Sequence, residues 1–241
     1  MGDSGSREMS MWALVPVKEL SDSKQRLASV LEPAEREDLM LAMLRDVLAA
    51  IQGVSLFHGV LLVSRSQKAK ALARDFVNDV FRESAGSDHS RAVTEGNRYL
   101  EQRYGVKSSL AISSDVPRIT VQDIHQLIDG HDRVTLVPNA SGEGTNAVLT
   151  SPPNAIDYHF GPGSLLKHIA SAESGGISPL ILRLSNLAHD IDDPQDLEQA
   201  IGDLPSSFTR RFLDDSGIAA RLGRPDRQVE NVHGVRSSAW T

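Results

Sequence analysis

The stretch that decides the fold is Met11-Trp12-Ala13-Leu14-Val15-Pro16-Val17-Lys18, which continues after a short polar segment into Lys24-Gln25-Arg26-Leu27. The apolar run predicts a buried strand that opens into a loop with three cations, Lys18, Lys24 and Arg26. A loop of this composition between a strand and a helix suits a polyphosphate. The alternative interpretation is that the three cations are solvated and bind nothing.

Outward from this stretch, short apolar runs alternate with amphipathic segments. Strands are predicted at about 12–17, 59–64, 79–81, 109–113, 133–138, 146–150 and 180–184. Helices are predicted at about 33–51, 67–76, 90–104, 120–128, 163–173 and 194–201, with a further short helix near 208–222. This alternation predicts a three-layer α/β (Rossmann-like) fold with a mostly parallel central sheet. Ligands of such sheets bind outside the carboxyl ends of the strands, where the polar motifs of this chain are expected to meet.

The composition is that of an ordinary globular protein. The chain has 241 residues, of which 40% are hydrophobic and 24% charged, and it contains no cysteine. We expect a flexible N-terminus over 1–10, one domain over 11–203 and a C-terminal extension over 204–241 that is partly helical or disordered. The net charge of -7 argues against nucleic acid as a partner. No apolar run is long enough for a membrane span and no export signal is visible, so we expect no membrane partner and a cytoplasmic location.

Carboxylates follow two of the predicted strands. Asp115 comes directly after the run at 109–113, and Asp190 and Asp192 alternate about Ile191. In an extended segment both of these aspartates would point to the same side, and neighbouring carboxylates repel unless a cation joins them. The residue types therefore suit Mg²⁺. The alternatives are an Asx turn or helix entry at Asp115, and capping by Asp192 or Asp193 of the helix that opens at Pro194.

Two glycine-rich segments lie between these carboxylates. Ser141-Gly142-Glu143-Gly144-Thr145-Asn146 could expose backbone N–H groups to a carboxylate or phosphate. Phe160-Gly161-Pro162-Gly163-Ser164 leads into a helix whose N-terminus favours an anion, and the alternative is ordinary capping by Ser164. Three histidines lie near these segments, namely His159, His168 and His189. Each is expected either to contact an anionic substrate or to be a structural or surface residue.

Taken in order, the motifs resemble one known family, the guanylyltransferases of deazaflavin coenzyme biosynthesis. The segments that carry the resemblance, between about residues 12 and 201, are 15–18, 24–28, 115–117, 142–146, 160–164 and 190–194. Members have a nucleotidyltransferase fold related to molybdopterin guanylyltransferases. They join GMP from GTP to 2-phospho-L-lactate, phosphoenolpyruvate or 3-phospho-D-glycerate and release pyrophosphate.

The resemblance implies a role for each group of residues. Lys18, Lys24 and Arg26 would face the GTP phosphates, with Asp115 as a further catalytic residue. Mg²⁺ would be held by Asp115, Asp190 and Asp192. The acceptor would be received by three residues of the glycine-rich segments, namely Thr145, Gly161 and Ser164. A homodimer is also expected from the family.

The chain departs from the family pattern in two places. Where members usually have Gly-Leu-Asn opening a helix on the base side, this chain has Asp88-His89-Ser90-Arg91, which leaves nucleobase selection open. Where they usually have Asp-Leu-Pro, Val116 replaces the leucine. The alternative functions are another nucleotidyltransferase of the same fold, of the sugar-phosphate or molybdopterin type, and a catalytically silent nucleotide-binding protein.

Overall fold

A seven-stranded sheet forms the centre of the protein, in a computed structural model that describes residues 10–223. The strands run in the spatial order β3-β2-β1-β4-β6-β5-β7. Their bounds are β1 Met11–Val17, β2 Gly59–Ser64, β3 Asp79–Phe81, β4 Ser108–Ile112, β5 Val134–Pro138, β6 Thr145–Thr150 and β7 Leu180–Ile181. The structure thus confirms the mostly parallel α/β sheet, because only β6 runs antiparallel to its neighbours β4 and β5.

Nine α-helices in the described residues connect and cover the strands. They are α1 Pro33–Gln52, α2 Gln67–Ala73, α3 His89–Tyr104, α4 Val121–Asp129, α5 Ser164–Ser174, α6 Ser185–Ala188, α7 Pro194–Asp203, α8 Phe208–Asp215 and α9 Ile218–Leu222. The short α6 falls where the sequence pattern predicts no helix. The single helix predicted near 208–222 is two helices, because Gly217 adopts a φ of 74° and breaks the run.

The first strand explains why the motifs meet at one edge. Every residue of β1 is buried, and it pairs in parallel with β2 on one side and β4 on the other. A central strand buried on both faces reads as a continuous apolar run, as Met11–Val17 does. Its carboxyl end, and that of β4, therefore open at the same edge of the sheet.

The core lies on both faces of the sheet. On one face, α1 and α4 cover it, with Leu39, Met43 and Ile124 buried. On the other face, α3 and α5 cover it, with Val93 and Leu165 buried. Two covered faces make the three-layer arrangement that the alternating pattern predicts.

Residues beyond 203 join the first of these cores. Leu213 and Ile218 are fully buried there, and the carboxylate of Asp46 on α1 accepts the first N–H groups of α8 from Phe208 and Thr209, at 2.7 and 2.9 Å. The domain boundary at 203 stays a prediction. The N-terminus at 1–9 and the tail at 224–241 lie outside the described residues. No helix within 10–223 combines the length and apolar character needed to cross a bilayer.

Candidate active site

The three cations of the loop after β1 differ in their exposure to solvent. Lys18 and Arg26 are exposed, whereas the side chain of Lys24 is only 4% exposed. Lys24 adopts a φ of 53°, a left-handed conformation that costs a non-glycine residue on the order of 1 kcal/mol. The conformation turns the lysine inward at the start of a 3-10 turn, Gln25–Ser29.

The ammonium group of Lys24 joins two of the three aspartates predicted to bind metal. Its Nζ lies 2.6 Å from Asp115 Oδ2 and 3.2 Å from Asp192 Oδ1. Burial disfavours the charged lysine, but the two carboxylates outweigh burial and raise its pKa. Arg26 adds a second cation, with its Nη1 3.1 Å from Asp192 Oδ2. Residues far apart in the chain therefore form one charged cluster.

The three aspartates reach this cluster from two loops. Asp115 follows β4, and its carbonyl accepts a hydrogen bond from the backbone N–H of Ile191 at 3.1 Å, which ties the loops together. Ile191 is buried in the core while Asp190 and Asp192 line the same cavity, as their alternation predicts. The helix-capping alternative applies to Asp193, whose side chain caps α7.

Of the three aspartates, Asp115 and Asp192 pair with Lys24 or Arg26, whereas Asp190 forms no ion pair in the described residues. Burial and the nearby charge of Asp115 raise its pKa, against the effect of the Asn146 amide, which donates to Asp190 Oδ1 at 3.1 Å. Oxygen donors of this kind suit Mg²⁺ chemically. As they stand, however, no three His, Asp or Glu side chains between residues 10 and 223 are grouped to hold a metal ion. Lys24 occupies the position between Asp115 and Asp192.

The two glycine-rich segments form the other side of the site. The first is the tip of the β5–β6 hairpin, where Asn139 Oδ1 accepts the Gly144 N–H at 2.9 Å. The second is the turn before α5, where Gly161 and Gly163 have φ values of 110° and 67°. Gly163 is the N-cap of α5, so Ser164 does not cap the helix. Its hydroxyl instead donates to Thr145 Oγ1 at 3.1 Å.

The buried ring of His168 holds the Thr145 side chain in place. The backbone N–H of His159 donates to His168 Nε2 at 2.9 Å, so Nε2 is the acceptor and Nδ1 carries the proton. His168 Nδ1 lies 3.1 Å from Thr145 Oγ1, which therefore accepts from both His168 and Ser164. With its acceptor capacity used, the Thr145 hydroxyl keeps its own proton for donation. His168 is thus structural, the second of the two predicted alternatives.

This arrangement makes His168 sensitive to acid. The ring is fully buried, and burial lowers its pKa to about 4, below its ordinary value of 6.5. As the pH falls, His168 takes up a proton in the unfolded chain before it does so in the folded protein. The folded state is therefore fully stable with respect to this group above pH 6.5, and it loses stability as the pH falls from 6.5 toward 4. We expect the free energy of unfolding to be about 2 kcal/mol lower at pH 5 than above pH 6.5 because of this histidine. Urea unfolding of the wild type and His168→Gln between pH 5 and 7.5 measures the difference.

The exposed His189 supplies the matched control for this prediction. His189→Gln should keep the pH dependence of the wild type, whereas His168→Gln should lose part of it. An equal slope of stability against pH in His168→Gln and the wild type would contradict the role given to His168.

Two adjoining cavities result from these loops. The first, here the basic cavity, has a volume of about 250 Å³ and contains Lys18 and Lys24. The second, the glycine-rich cavity, has a volume of about 460 Å³ and contains Thr145, Gly161 and Ser164. Four residues line both cavities, namely His89, Ser113, Asp115 and Asp192. All the predicted site residues therefore lie around one composite cleft.

Three residues of this cleft escaped the sequence analysis as site residues. Asn146 holds Asp190 and the carbonyl of Leu187, and Ser113 follows β4 directly. His89 is the first residue of α3, which Asp88 caps through the N–H of Arg91 at 2.8 Å. Asp88 is a residue type that commonly caps helices, so the cap could be predicted from the sequence. The direction of the His89 ring could not be predicted from the sequence.

Comparison with known proteins identifies the family. The sequence model described as "Guanylyl transferase CofC like" matches residues 11–233. This chain belongs to that family. A phosphoenolpyruvate guanylyltransferase of Rubrobacter xylanophilus is 36% identical over 192 residues, covering 78% of this chain and 92% of the relative. One of Sphaerobacter thermophilus is 35% identical over 200 residues, covering 82% and 95%.

Solved structures show the same fold at low sequence identity. A putative nucleotide-diphospho-sugar transferase from Desulfovibrio desulfuricans G20 has a TM-score of 0.67 and 16% identity, and covers 88% of this chain and 98% of its own. A nucleotidyl transferase from Methanothermobacter has a TM-score of 0.62 and 16% identity, covering 86% and 99%.

Family and fold together confirm three predictions from the sequence. The resemblance to the guanylyltransferases of deazaflavin coenzyme biosynthesis is confirmed, as is the nucleotidyltransferase fold. The chain is an enzyme, a guanylyltransferase.

Proposed function

We propose that this guanylyltransferase transfers GMP from GTP to phosphoenolpyruvate or a closely related phosphorylated three-carbon acid. GTP would place its phosphates in the basic cavity, and the acid would occupy the glycine-rich cavity. The observation that carries the proposal is that the two cavities meet at Asp115 and Asp192. Phosphoenolpyruvate is the first choice of acceptor because the relatives at 35–36% identity carry its name.

The glycine-rich cavity offers an anion several kinds of donor. The Thr145 hydroxyl has a proton to donate, and Arg26 lines the same cavity. The turn at Gly161 and Gly163 brings the N-terminus of the 11-residue α5 to the cavity, and that end of a helix favours negative charge. A small acid with a carboxylate and a phosphate matches this set of donors.

Mg²⁺ is the metal we propose, held by Asp115, Asp190 and Asp192 together with water and phosphate oxygens. Asp190 and Asp192 line the same cavity as Asp115, so three carboxylates can offer oxygen atoms there. When bound, the ion would neutralise charge on the phosphates. The Lys24 ammonium would leave its position between Asp115 and Asp192 and turn toward the GTP phosphates.

In the proposed reaction, a phosphate oxygen of the acceptor attacks the α-phosphorus of GTP. The new bond joins that oxygen to the α-phosphorus. The bond from the α-phosphorus to the oxygen that bridges the α- and β-phosphates breaks, and this oxygen leaves with pyrophosphate. Lys18, Lys24 and Arg26 stabilise the negative charge on the transferred and leaving groups. With the acid and GTP in adjoining cavities, the two would react directly, so the proposed reaction needs no covalent enzyme intermediate.

Incubation with GTP, Mg²⁺ and each candidate acid tests this function directly. We expect pyrophosphate release and a guanylated acid, identified by mass, with phosphoenolpyruvate. Assays with 2-phospho-L-lactate and 3-phospho-D-glycerate rank the acceptors, and CTP in place of GTP tests the base. No guanylated product from any of the three acids would contradict the proposal.

Removing the Thr145 hydroxyl is expected to weaken acceptor binding. Thr145→Val keeps the shape of the side chain and loses the donor. A hydrogen bond to a charged group contributes about 1.5–3 kcal/mol, so KM for the acid should rise about tenfold or more. KM for GTP should change little. Steady-state kinetics with each substrate varied in turn measures the two constants.

Ser174→Ala is the control, because Ser174 is an exposed hydroxyl at the far end of the same helix as Ser164. It should leave both constants unchanged. An effect of Thr145→Val on GTP alone would place the acceptor elsewhere.

A cytoplasmic location and a homodimer also belong to the proposal. The absence of cysteine is in keeping with a reducing compartment. Light scattering on the purified chain measures the oligomeric state.

A further inference from the structure

His89 stands apart from the other residues that line both cavities. Ser113, Asp115 and Asp192 come from loops at the carboxyl end of the sheet, whereas His89 comes from the first turn of α3. Its ring thus reaches both cavities from a different layer of the fold. No hydrogen bond within α3 requires a histidine there, because Asp88 supplies the cap.

The ring of His89 is held on the acceptor side of the cleft. It makes an edge contact with the ring of Phe160, with centroids 4.4 Å apart and planes at 62°. The next residue, Ser90, accepts a hydrogen bond from the backbone N–H of Phe160 at 2.8 Å. Two contacts therefore fix the start of α3 against the turn that leads to Gly161.

The Nε2 atom of His89 is covered and has no hydrogen-bond partner in the described part of the chain. The other covered histidines differ. His131 has Thr135 and Ser151 hydroxyls at 2.9 and 2.8 Å from its two ring nitrogens, and His168 has partners on both. Covered polar atoms in folded proteins are paired as a rule. Because the His89 ring lines both cavities, rotation of the ring would bring its unpaired nitrogen to a ligand atom in the cleft.

The reaction supplies a suitable atom at this place. Guanylyl transfer brings the attacking oxygen to within about 3–3.5 Å of the α-phosphorus, so the reacting centre lies where the two cavities meet. The non-bridging oxygens of the α-phosphoryl group gain negative charge there. An imidazole N–H is a donor for such an oxygen.

We propose that His89 is a further catalytic residue, whose ring N–H donates a hydrogen bond to a non-bridging oxygen of the α-phosphoryl group during transfer. This assignment rests on the proposed placement of GTP and the acid in the two cavities. It gives α3 a direct part in the chemistry, and it explains why a polar ring lies without a partner beside the cleft.

Two substitutions at position 89 test the assignment. His89→Leu removes the donor and fills the space, and His89→Gln keeps an N–H donor. We expect kcat to fall about a hundredfold in the leucine variant, the usual effect of losing one donor to a developing charge, and to recover in part in the glutamine variant. KM for GTP should stay within about threefold, because the bond strengthens only during transfer.

Sulfur substitution at the α-phosphorus gives a readout that a structural role would not move. The two diastereomers of GTPαS place sulfur, a weaker acceptor, on opposite non-bridging positions. With the wild-type enzyme, the diastereomer whose sulfur faces His89 should react more slowly than the other diastereomer. That slowing should disappear in His89→Leu.

The outcomes separate the two proposals. If His89→Leu keeps the wild-type kcat, or if both variants fall equally with unchanged sulfur effects, His89 is only a packing residue and the assignment is wrong. A change confined to KM for the acid overturns it as well. If the wild type makes no guanylated acid, the proposed function fails first, and this is seen before any variant is measured.

Discussion

Replacing Asp115 with asparagine is expected to lower kcat at least about a thousandfold, because several kcal/mol of transition-state charge stabilisation depend on the carboxylates at the reacting centre. Asp115 lines both cavities and is the nearer partner of Lys24, at 2.6 Å against 3.2 Å for Asp192. Asparagine has the same shape but no charge. Steady-state release of pyrophosphate from GTP measures the loss.

The fold of this variant should remain intact. Asparagine gives up the attraction to Lys24 but also relieves the repulsion by which Asp115 raises the pKa of Asp190. These effects oppose each other, and Lys24 keeps Asp192 as a partner. The melting temperature should therefore move by only a few degrees.

The matched control is Asp203→Asn. Asp203 is an exposed carboxylate paired with Arg118, away from both cavities. Its replacement should leave turnover unchanged. A folded Asp115→Asn variant with wild-type turnover would show that the Asp115 carboxylate has no part in catalysis.

The sequence predicted the meeting of these residues because a simple rule governs it. Lys24 and Asp115 come after β1 and β4, and the carboxyl ends of neighbouring parallel strands open at one edge of the sheet. Asp192 lies beyond α6, and the hydrogen bond from the Ile191 N–H to the Asp115 carbonyl joins its loop to that edge. The alternation of Asp190 and Asp192 about the buried Ile191 was also sufficient to place both on one side. The edge of the sheet at which the ligand-bearing loops gather can thus be predicted from periodicity.

Contacts that depend on one backbone torsion angle, or on how a helix packs on the sheet, could not be predicted in this way. Lys24 reaches Asp115 and Asp192 because its own φ is positive, and nothing in the residue type signals this. The bonds of His168 to Thr145 and of Ser164 to Thr145 join a helix to a hairpin, and only the packing of α5 on the sheet brings them together. The same holds for His89, whose ring direction follows from the contact of α3 with Phe160.

Lys24→Met should show how far one buried cation holds the site together. Methionine keeps the length and the apolar stem of the side chain but leaves Asp115, Asp190 and Asp192 without the ammonium. We expect kcat/KM for GTP to fall about a hundredfold or more, because Lys24 is the buried charge nearest the proposed phosphate position. Without divalent metal, the melting temperature should also fall. The loss of stability should be smaller than the cost of about 3–5 kcal/mol for a fully buried pair, because the Asp115 and Asp192 side chains are 23% and 43% exposed.

The response to Mg²⁺ distinguishes this role from ordinary packing. Lys24 occupies the place between two carboxylates that the proposed metal would share, so its removal leaves more negative charge for the ion to neutralise. Mg²⁺ should therefore raise the melting temperature of Lys24→Met more than that of the wild type, by linkage of binding to folding. Lys68→Met is the control, because Lys68 is an exposed lysine paired with Glu37. Equal Mg²⁺ responses in all three proteins would mean that Lys24 and the metal do not share this position.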